Sequence, residues 1–409
     1  MMNGQFLNLS AYHEADIFDP VSGAEMTYES LCRVLPPSLA RLELSTDKSV
    51  NIPGEVAAAF SRYRPTPLFR ARNFERAIGT DCEIYIKDEG ASPTGNHKAN
   101  SAYFIAYQCK QDGVNLIATE TTGNWGIALA MAGKDFGVRV VCFLDHESHI
   151  ERPNRKLLME ESGAEVVIVE PDESQKVNDP LTLTADAAID YVRDRDGSYY
   201  IFGSVYSYFT IPQSVIGLEI RDQLQQSGRY PDIIVGNCGG GANLLGTSAA
   251  FFAGMMESER KVKVVSAEAE SCPILSEGKM GLYSVDTRKF YPLIRTYGIE
   301  GLKDGTYIGG LGATVVASPV AFFHSQGLVE VNRFSSTEAM SAAEMFYDTE
   351  GKLVALETSY AIAAVVKQAR ENQRKTIVVN ISSGETDRQF YTHTLNECRM
   401  QFKDERAVI

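Results

Sequence analysis

Hydrophobic positions along this chain alternate between two textures. From about residue 83, short apolar runs rich in β-branched residues are separated by stretches in which apolar residues recur at helical spacing. The runs are EIYIK (83–87), LIAT (116–119), VRVVCFL (138–144), VVIVE (166–170), YYIFG (199–203), DIIVGN (232–237), VKVVSAE (262–268) and TIVVNIS (376–382). The amphipathic stretches predict helices over 98–112, 125–136, 151–162, 183–195, 211–226, 243–256, 336–349 and 358–371. Strands that are apolar on both faces belong to parallel sheets covered by helices on either side. The expected fold class is therefore α/β, with two parallel or mixed sheets and right-handed crossovers. Residues 1–60 lack this rhythm (VLPPSLARL, NIPGEV) and read as an N-terminal extension packed on the outside. No clean linker follows, so the domains are expected to exchange chain segments: 61–99 with 205–409 as a larger cofactor-binding domain, 100–204 as a smaller mobile one.

The 409 residues carry 39 basic and 53 acidic side chains, a net charge of −14. That balance disfavours nucleic acid or an anionic membrane as partner. No apolar run approaches the roughly 20 residues that cross a bilayer, and the N-terminus has no basic start of a signal peptide. A cytoplasmic location is expected. Seven scattered cysteines without a CxxC pair fit reduced thiols. The cluster DHESH (145–149) has no third ligand nearby; it reads as a cap at a strand end, and no metal is expected.

Unusual residues gather where strands run into helices, which is where open α/β sheets bind ligands. In SPTGNHKANSA (92–102), Lys98 opens a helix directly after a strand, and burial beside a helix N-terminus lets an ammonium group lose its proton readily. In GNCGGGANLLG (236–246), three glycines let backbone N–H groups crowd an anion at a helix start. The loop has neither the Lys of a P-loop nor the spacing of a dinucleotide fingerprint, so one monophosphate fits it. TETTGNWGIALA (119–130) offers hydroxyls, Gly123 and Asn124 at another helix start, suited to a carboxylate or to an ordinary cap by Thr121 or Thr122. VVNISSGETD (378–387) ends the last strand in two serines, suited to a ring nitrogen or to capping a turn. An imine-forming lysine, a monophosphate cradle, a carboxylate loop and a hydroxyl for a heteroaromatic nitrogen are the parts that hold pyridoxal 5′-phosphate. His97 is placed near its phosphate or ring face.

At these residues the chain resembles the fold-type II pyridoxal-phosphate enzymes, and most closely the stand-alone, second type of tryptophan synthase β chain. The likeness runs through RPTPLFRARNFERAIG (64–79), IYIKDEGASPTGNHKANSA (84–102), SVIGLEI (214–220), GGGANLLG (239–246), EAESCPILSEGKMG (268–281), FYPLIRTYGIEG (290–301) and TEGKLVALETSYA (349–361). The resemblance implies that Lys98 carries the cofactor, that Gly239, Gly240, Gly241, Ala242 and Asn243 hold its phosphate beside His97, and that Asn124 lies near the ring oxygen. It implies that Thr121, Thr122, Gly123 and Asn124 receive the substrate carboxylate. Ser383 matches the serine at the pyridine nitrogen, with Ser382 one register away. The implied chemistry is β-replacement on serine or an activated serine through an aminoacrylate.

Two departures accompany the likeness. The family's acid–base glutamate lies in an ETGAGQ-type loop, whereas ETTGNWG here is one residue shorter. Counting back from Trp125 puts Thr119 at that position; a deletion within the loop restores Glu120. SSGE also replaces the usual SGHG or SGRG. Both changes fall in the site, so a nucleophile other than indole is expected. Alternatives are β-elimination or ammonia-lyase activity, threonine-synthase-like γ chemistry, or a cofactor-binding pseudoenzyme with a regulatory role. A homodimer acting without an obligate α subunit is the expected assembly.

Overall fold

The computed structural model describes residues 4–14, 17–171, 180–303, 309–394 and 396. Its largest sheet has six strands in the order Val329–Phe334, Lys263–Ala269, Ile233–Asn237, Thr376–Ile381, Glu83–Asp88 and Leu68–Arg70. All neighbours run parallel except the last pair. A second sheet of four parallel strands is ordered Glu165–Val169, Arg139–Asp145, Leu116–Thr121, Ser198–Tyr200. The α/β architecture read from the apolar rhythm is the observed one. Ile84, Ile86, Ile233, Ile234, Val235, Ile377, Val378 and Val379 are buried, as strands covered by helices on both faces require.

Helices cover the sheets close to the expected places: Lys98–Gln111, Asn124–Phe136, Pro153–Glu161, Pro180–Val192, Val215–Gln226, Ala242–Met256, Ser336–Glu350 and Leu356–Glu371. The stretch from 211 is divided. Ser207–Gln213 is a helix of its own that contains Pro212, and Ser214 separates it from the next. At DHESH, the Asp145 side chain accepts from the Ser148 N–H at 2.8 Å and caps the short helix His146–Glu151 at the end of its strand. Among the described residues no group of His, Cys, Asp and Glu could hold a metal ion, and no helix is long and apolar enough to cross a membrane. The N-terminal segment contributes to the common core: Phe6 packs edge-on against Phe60 and Phe104, and Leu31, Leu35 and Leu39 are buried.

The sheet order is what assembles a site. Ile233–Asn237, Thr376–Ile381 and Glu83–Asp88 lie side by side and parallel, so the glycine loop, the serine loop and the lysine loop leave adjacent carboxyl ends. The middle strand Leu116–Thr121 of the smaller sheet delivers the fourth loop.

Candidate active site

The loop before Lys98 is locked by its own side chains. Ser92 Oγ donates to the Asn96 carbonyl at 2.6 Å and accepts from the Asn96 N–H at 3.0 Å, while Asn96 Oδ1 accepts from the Lys98 N–H at 2.9 Å. Helix Lys98–Gln111 thus begins at a fixed point, with the Lys98 side chain opening onto a cleft of about 970 Å³ of empty space, open solvent included. Burial lowers the Lys98 ammonium to about 8; Glu357 and Glu120 oppose this and Arg155 adds to it. His97 lines the same cleft. Its Nδ1 meets Gln213 Oε1 at 3.0 Å, and burial, then the Lys98 charge, bring the imidazole down to about 4, so it is neutral near pH 7.

Across the cleft lie Gly239, Gly240, Gly241, Ala242 and Asn243. Gly241 has φ +91°, a left-handed conformation that glycine adopts without strain. A Cβ on Gly240 would come within 1.9 Å of Ser204 Oγ, and one on Gly239 within 2.9 Å of the Leu311 backbone. Helix Ala242–Met256 starts without a side-chain cap, leaving its first N–H groups directed at the loop. Asn243 Oδ1 and Asn237 Oδ1 are buried there without a protein partner. An uncapped helix start and a glycine-lined recess facing one cavity fit a phosphorylated cofactor.

Strand parity sends the Thr119 and Glu120 side chains to opposite faces. Glu120 points into the cleft, whereas Thr119 faces the other way, donating to the Ile201 carbonyl at 2.6 Å and accepting from the Trp125 indole at 2.8 Å. Glu120 Oε1 accepts from the Gly203 N–H at 3.3 Å. Burial raises this carboxyl to about 7, against the pull of Tyr200, backbone N–H groups and Lys98. Thr121 and Thr122 line the cleft too; Thr121 Oγ1 accepts from the N–H groups of Gly123 and Gly126 at 2.8 and 2.9 Å, so it shapes the turn as a cap does.

Gly123, Asn124, Ser382 and Ser383 are not among the residues lining the cleft. Gly123 is buried behind it, and Asn124 opens the following helix. The Ser383 N–H donates to the Gly95 carbonyl at 2.8 Å, which fixes the serine beside the lysine loop, and its Oγ accepts from the Glu385 N–H at 3.2 Å. Ser382 is buried, with its N–H on Thr358 Oγ1. Sequence reasoning missed Asn237, Ser204 and Glu357. Glu357 accepts from the Gly310 N–H at 2.8 Å and is the strongest opposing charge on Lys98. It also missed the apolar side of the cleft, where Trp125 meets Phe209 edge-on at 5.0 Å and Phe202, Leu181 and Val285 complete the lining. Asn237 stands within the glycine loop itself; Glu357 stands at a helix start, which reads equally as a dipole partner, and no local pattern marks the rest.

A helix-covered α/β fold with a lysine and a glycine cradle on one cleft defines a class, and the comparisons agree. Residues 60–383 match the model of the pyridoxal-phosphate dependent enzyme family, and the chain belongs to that family. It is 36% identical over 380 residues to a tryptophan synthase beta chain of Thermosipho africanus, covering 89% of this chain and 90% of that one. It is also similar to tryptophan synthase beta chain 2 of Aeropyrum pernix (34% over 399 residues, 92% and 89% covered) and of Thermotoga maritima (35% over 385 residues, 90% of each). The protein is thus a pyridoxal-phosphate-dependent enzyme of the β-replacement kind.

Proposed function

We propose that the enzyme exchanges the β substituent of serine, or of a serine activated on its oxygen, for a nucleophile admitted through the apolar side of the cleft. The observation that carries this is the shared cavity, which holds Lys98, the glycine cradle and a carboxyl poised near neutrality. Pyridoxal 5′-phosphate, when bound, supplies an aldehyde for reaction with amines and a ring that withdraws electrons from Cα. Gly239, Gly240, Gly241, Ala242 and Asn243 would hold its phosphate, with His97 beside it. Ser383, or Ser382, would supply the hydroxyl for the ring nitrogen.

Lys98 Nζ is the amine that would hold the aldehyde, and the same amine would take the α proton of the substrate; burial keeps a fraction of it neutral near pH 8. Loop 121–124 binds the carboxylate through its N–H groups and hydroxyls. Glu120 protonates the leaving group and receives a proton from the incoming nucleophile. Closure of the smaller domain, 100–204, over the larger excludes water during these steps. The altered loop and the SSGE end favour an acceptor other than indole, and the working unit is a homodimer without an obligate α subunit.

Borohydride reduction of the holoenzyme followed by peptide mapping is expected to find the pyridoxyl group on Lys98, with visible absorbance lost in Lys98→Ala. Incubation with serine or O-acetylserine plus candidate nucleophiles is expected to give β-substituted amino acids. Release of a keto acid and ammonia under all conditions would replace the substitution reading with elimination, and absence of a reduced adduct at Lys98 would overturn both.

A further inference from the structure

Arg155 stands outside the steps above, yet its side chain is fully buried at the junction of the two sheets. It projects from helix Pro153–Glu161, which connects two strands of the smaller sheet. Its Nε donates to Asp387 Oδ1 at 2.9 Å and its Nη2 to Asp387 Oδ2, a two-pronged pair with a residue just beyond the last strand of the larger sheet. The remaining nitrogen, Nη1, donates to the Thr122 carbonyl at 2.8 Å. Gly123 has φ +128°, and a Cβ there would meet Arg155 Cδ at 2.2 Å, so the loop lies directly against the arginine stem. One turn earlier, the Arg152 guanidinium sits 4.7 Å from the ring centre of Phe390. Two arginines of one sheet unit therefore grip the segment that follows the serine loop of the other.

We propose that Arg155 is a positioning residue for the substrate: clamped by Asp387, it holds the Thr122 carbonyl and so sets loop 121–124 at a fixed distance from the cofactor pocket. A planar guanidinium suits this work, because its fork fixes both the carboxylate and a third acceptor in one plane, which a lysine cannot do. The peptide whose Thr122 carbonyl Arg155 holds also donates its Gly123 N–H to Thr121 Oγ1 at 2.8 Å, so the turn of the loop is pinned at both edges of one rigid plane. The clasp also joins the two sheets at the point where substrate and cofactor meet. The inference rests on reading the loop as the carboxylate site.

The test uses the holoenzyme with Asp387→Asn, Arg155→Lys and the double variant Arg155→Met/Asp387→Leu. Replacing both charges by apolar groups removes the clasp without leaving a buried charge, so the double variant is expected to recover a denaturation midpoint that the single variants lose. Loop order is read by amide hydrogen exchange over residues 119–128 and by emission of Trp125, the one tryptophan of the chain. Substrate binding is read by serine titration of cofactor absorbance. All three variants are expected to exchange at least about tenfold faster in the loop and to bind serine roughly 10–100-fold more weakly, on the scale of a misplacement near 1 Å. Reduction should still place the cofactor on Lys98. Loop exchange and serine affinity returning with the midpoint in the double variant, or unchanged in the single ones, would show a purely structural ion pair and overturn the proposal. A wild-type enzyme blind to serine and to other amino acids would refute the carboxylate reading, while the exchange data still decide the clasp.

Discussion

The setting of Glu120 is what suits it to the acid–base role proposed for it. It leaves a strand into a cleft walled by Trp125, Phe202 and Phe209, and a buried tyrosine layer of Tyr200, Tyr206, Tyr208 and Tyr291 lies behind. The low dielectric penalises its charge, and burial raises it to about 7. A carboxyl half-protonated at neutral pH can give a proton to a departing hydroxide and accept one afterwards. The departure step is expected to slow as pH rises through about 7, because the acid form is then lost. Glu120→Gln should remove that limb and lower the rate with serine by about 10²–10⁴-fold. With O-acetylserine, whose leaving group needs no proton, the deficit should shrink; equal deficits in stopped-flow traces would disprove the acid role. A linked stability effect has a definite sign. The folded value lies above the unfolded 4.5, so the native state holds the extra proton between the two. That contribution is present below 4.5 and lost as pH rises through about 7, in all about 3 kcal/mol. Comparing urea midpoints of wild type and Glu120→Gln at pH 5 and pH 8 checks it.

At the level of elements, the glycine loop is shaped as much by its neighbours as by a ligand. Gly240 abuts Ser204 and Val205, and Gly239 abuts the backbone of Leu311, so the cradle is a place where three chain segments touch. Gly240→Ala must displace Ser204, which itself lines the cleft, and overpacking of this kind costs about 1–3 kcal/mol. Titrating the apoenzyme with pyridoxal phosphate should show affinity reduced roughly tenfold or more. Gly54→Ala, which has open space around the new methyl and no positive φ, should leave affinity unchanged. The same distinction between local and tertiary causes separates what the sequence disclosed from what it hid. Strands buried on both faces announced themselves as apolar runs, and the lysine and glycine loops stood out because each follows such a run. Lys279–Tyr283 and Leu293–Gly298 form an antiparallel pair with one exposed side, and Val329–Phe334 is an edge strand carrying exposed Glu330 and Arg333, so none produces a continuous run. Thr119 and Glu120 could not be ranked by counting residues around a shortened loop; only the alternation of side chains along the formed strand separates them. Glu357 and Arg155 reach the site through long-range packing, which leaves no signature in neighbouring residues.

For the molecule as a whole, the lysine helix is anchored by a buried charge network beneath the site. Arg64 bridges Glu219 and Glu89 through hydrogen bonds of 2.9–3.0 Å and donates to Asn100 Oδ1 at 2.7 Å, in the same helical turn as Lys98. Lys87 Nζ reaches Glu219 Oε2 at 2.6 Å and the Thr66 carbonyl at 2.8 Å. Two cations and two carboxylates cancel, and their remaining hydrogen-bonding capacity is met by Thr66, Gln223 and Asn100. Burial alone would raise the Glu89 carboxyl; the Arg64 charge and hydrogen bonds, then Lys87 and Thr66, bring it down to about 2. Its folded value lies below the unfolded 4.5, so this stabilisation is present above 4.5 and lost as pH falls toward 2. Glu219→Gln leaves Arg64 and Lys87 sharing one carboxylate in the interior, and unfolding in urea should show a loss of about 3–5 kcal/mol. Removing the exposed Arg388–Glu385 pair, by contrast, should change stability by less than about 1 kcal/mol. Since Asn100 hangs from the same network, Glu219→Gln should also loosen the start of the lysine helix, seen as faster amide exchange over residues 98–104. A stability loss no larger than that of the surface pair would mean that water or a rearranged neighbour takes over the missing charge, and that the network does not hold the site.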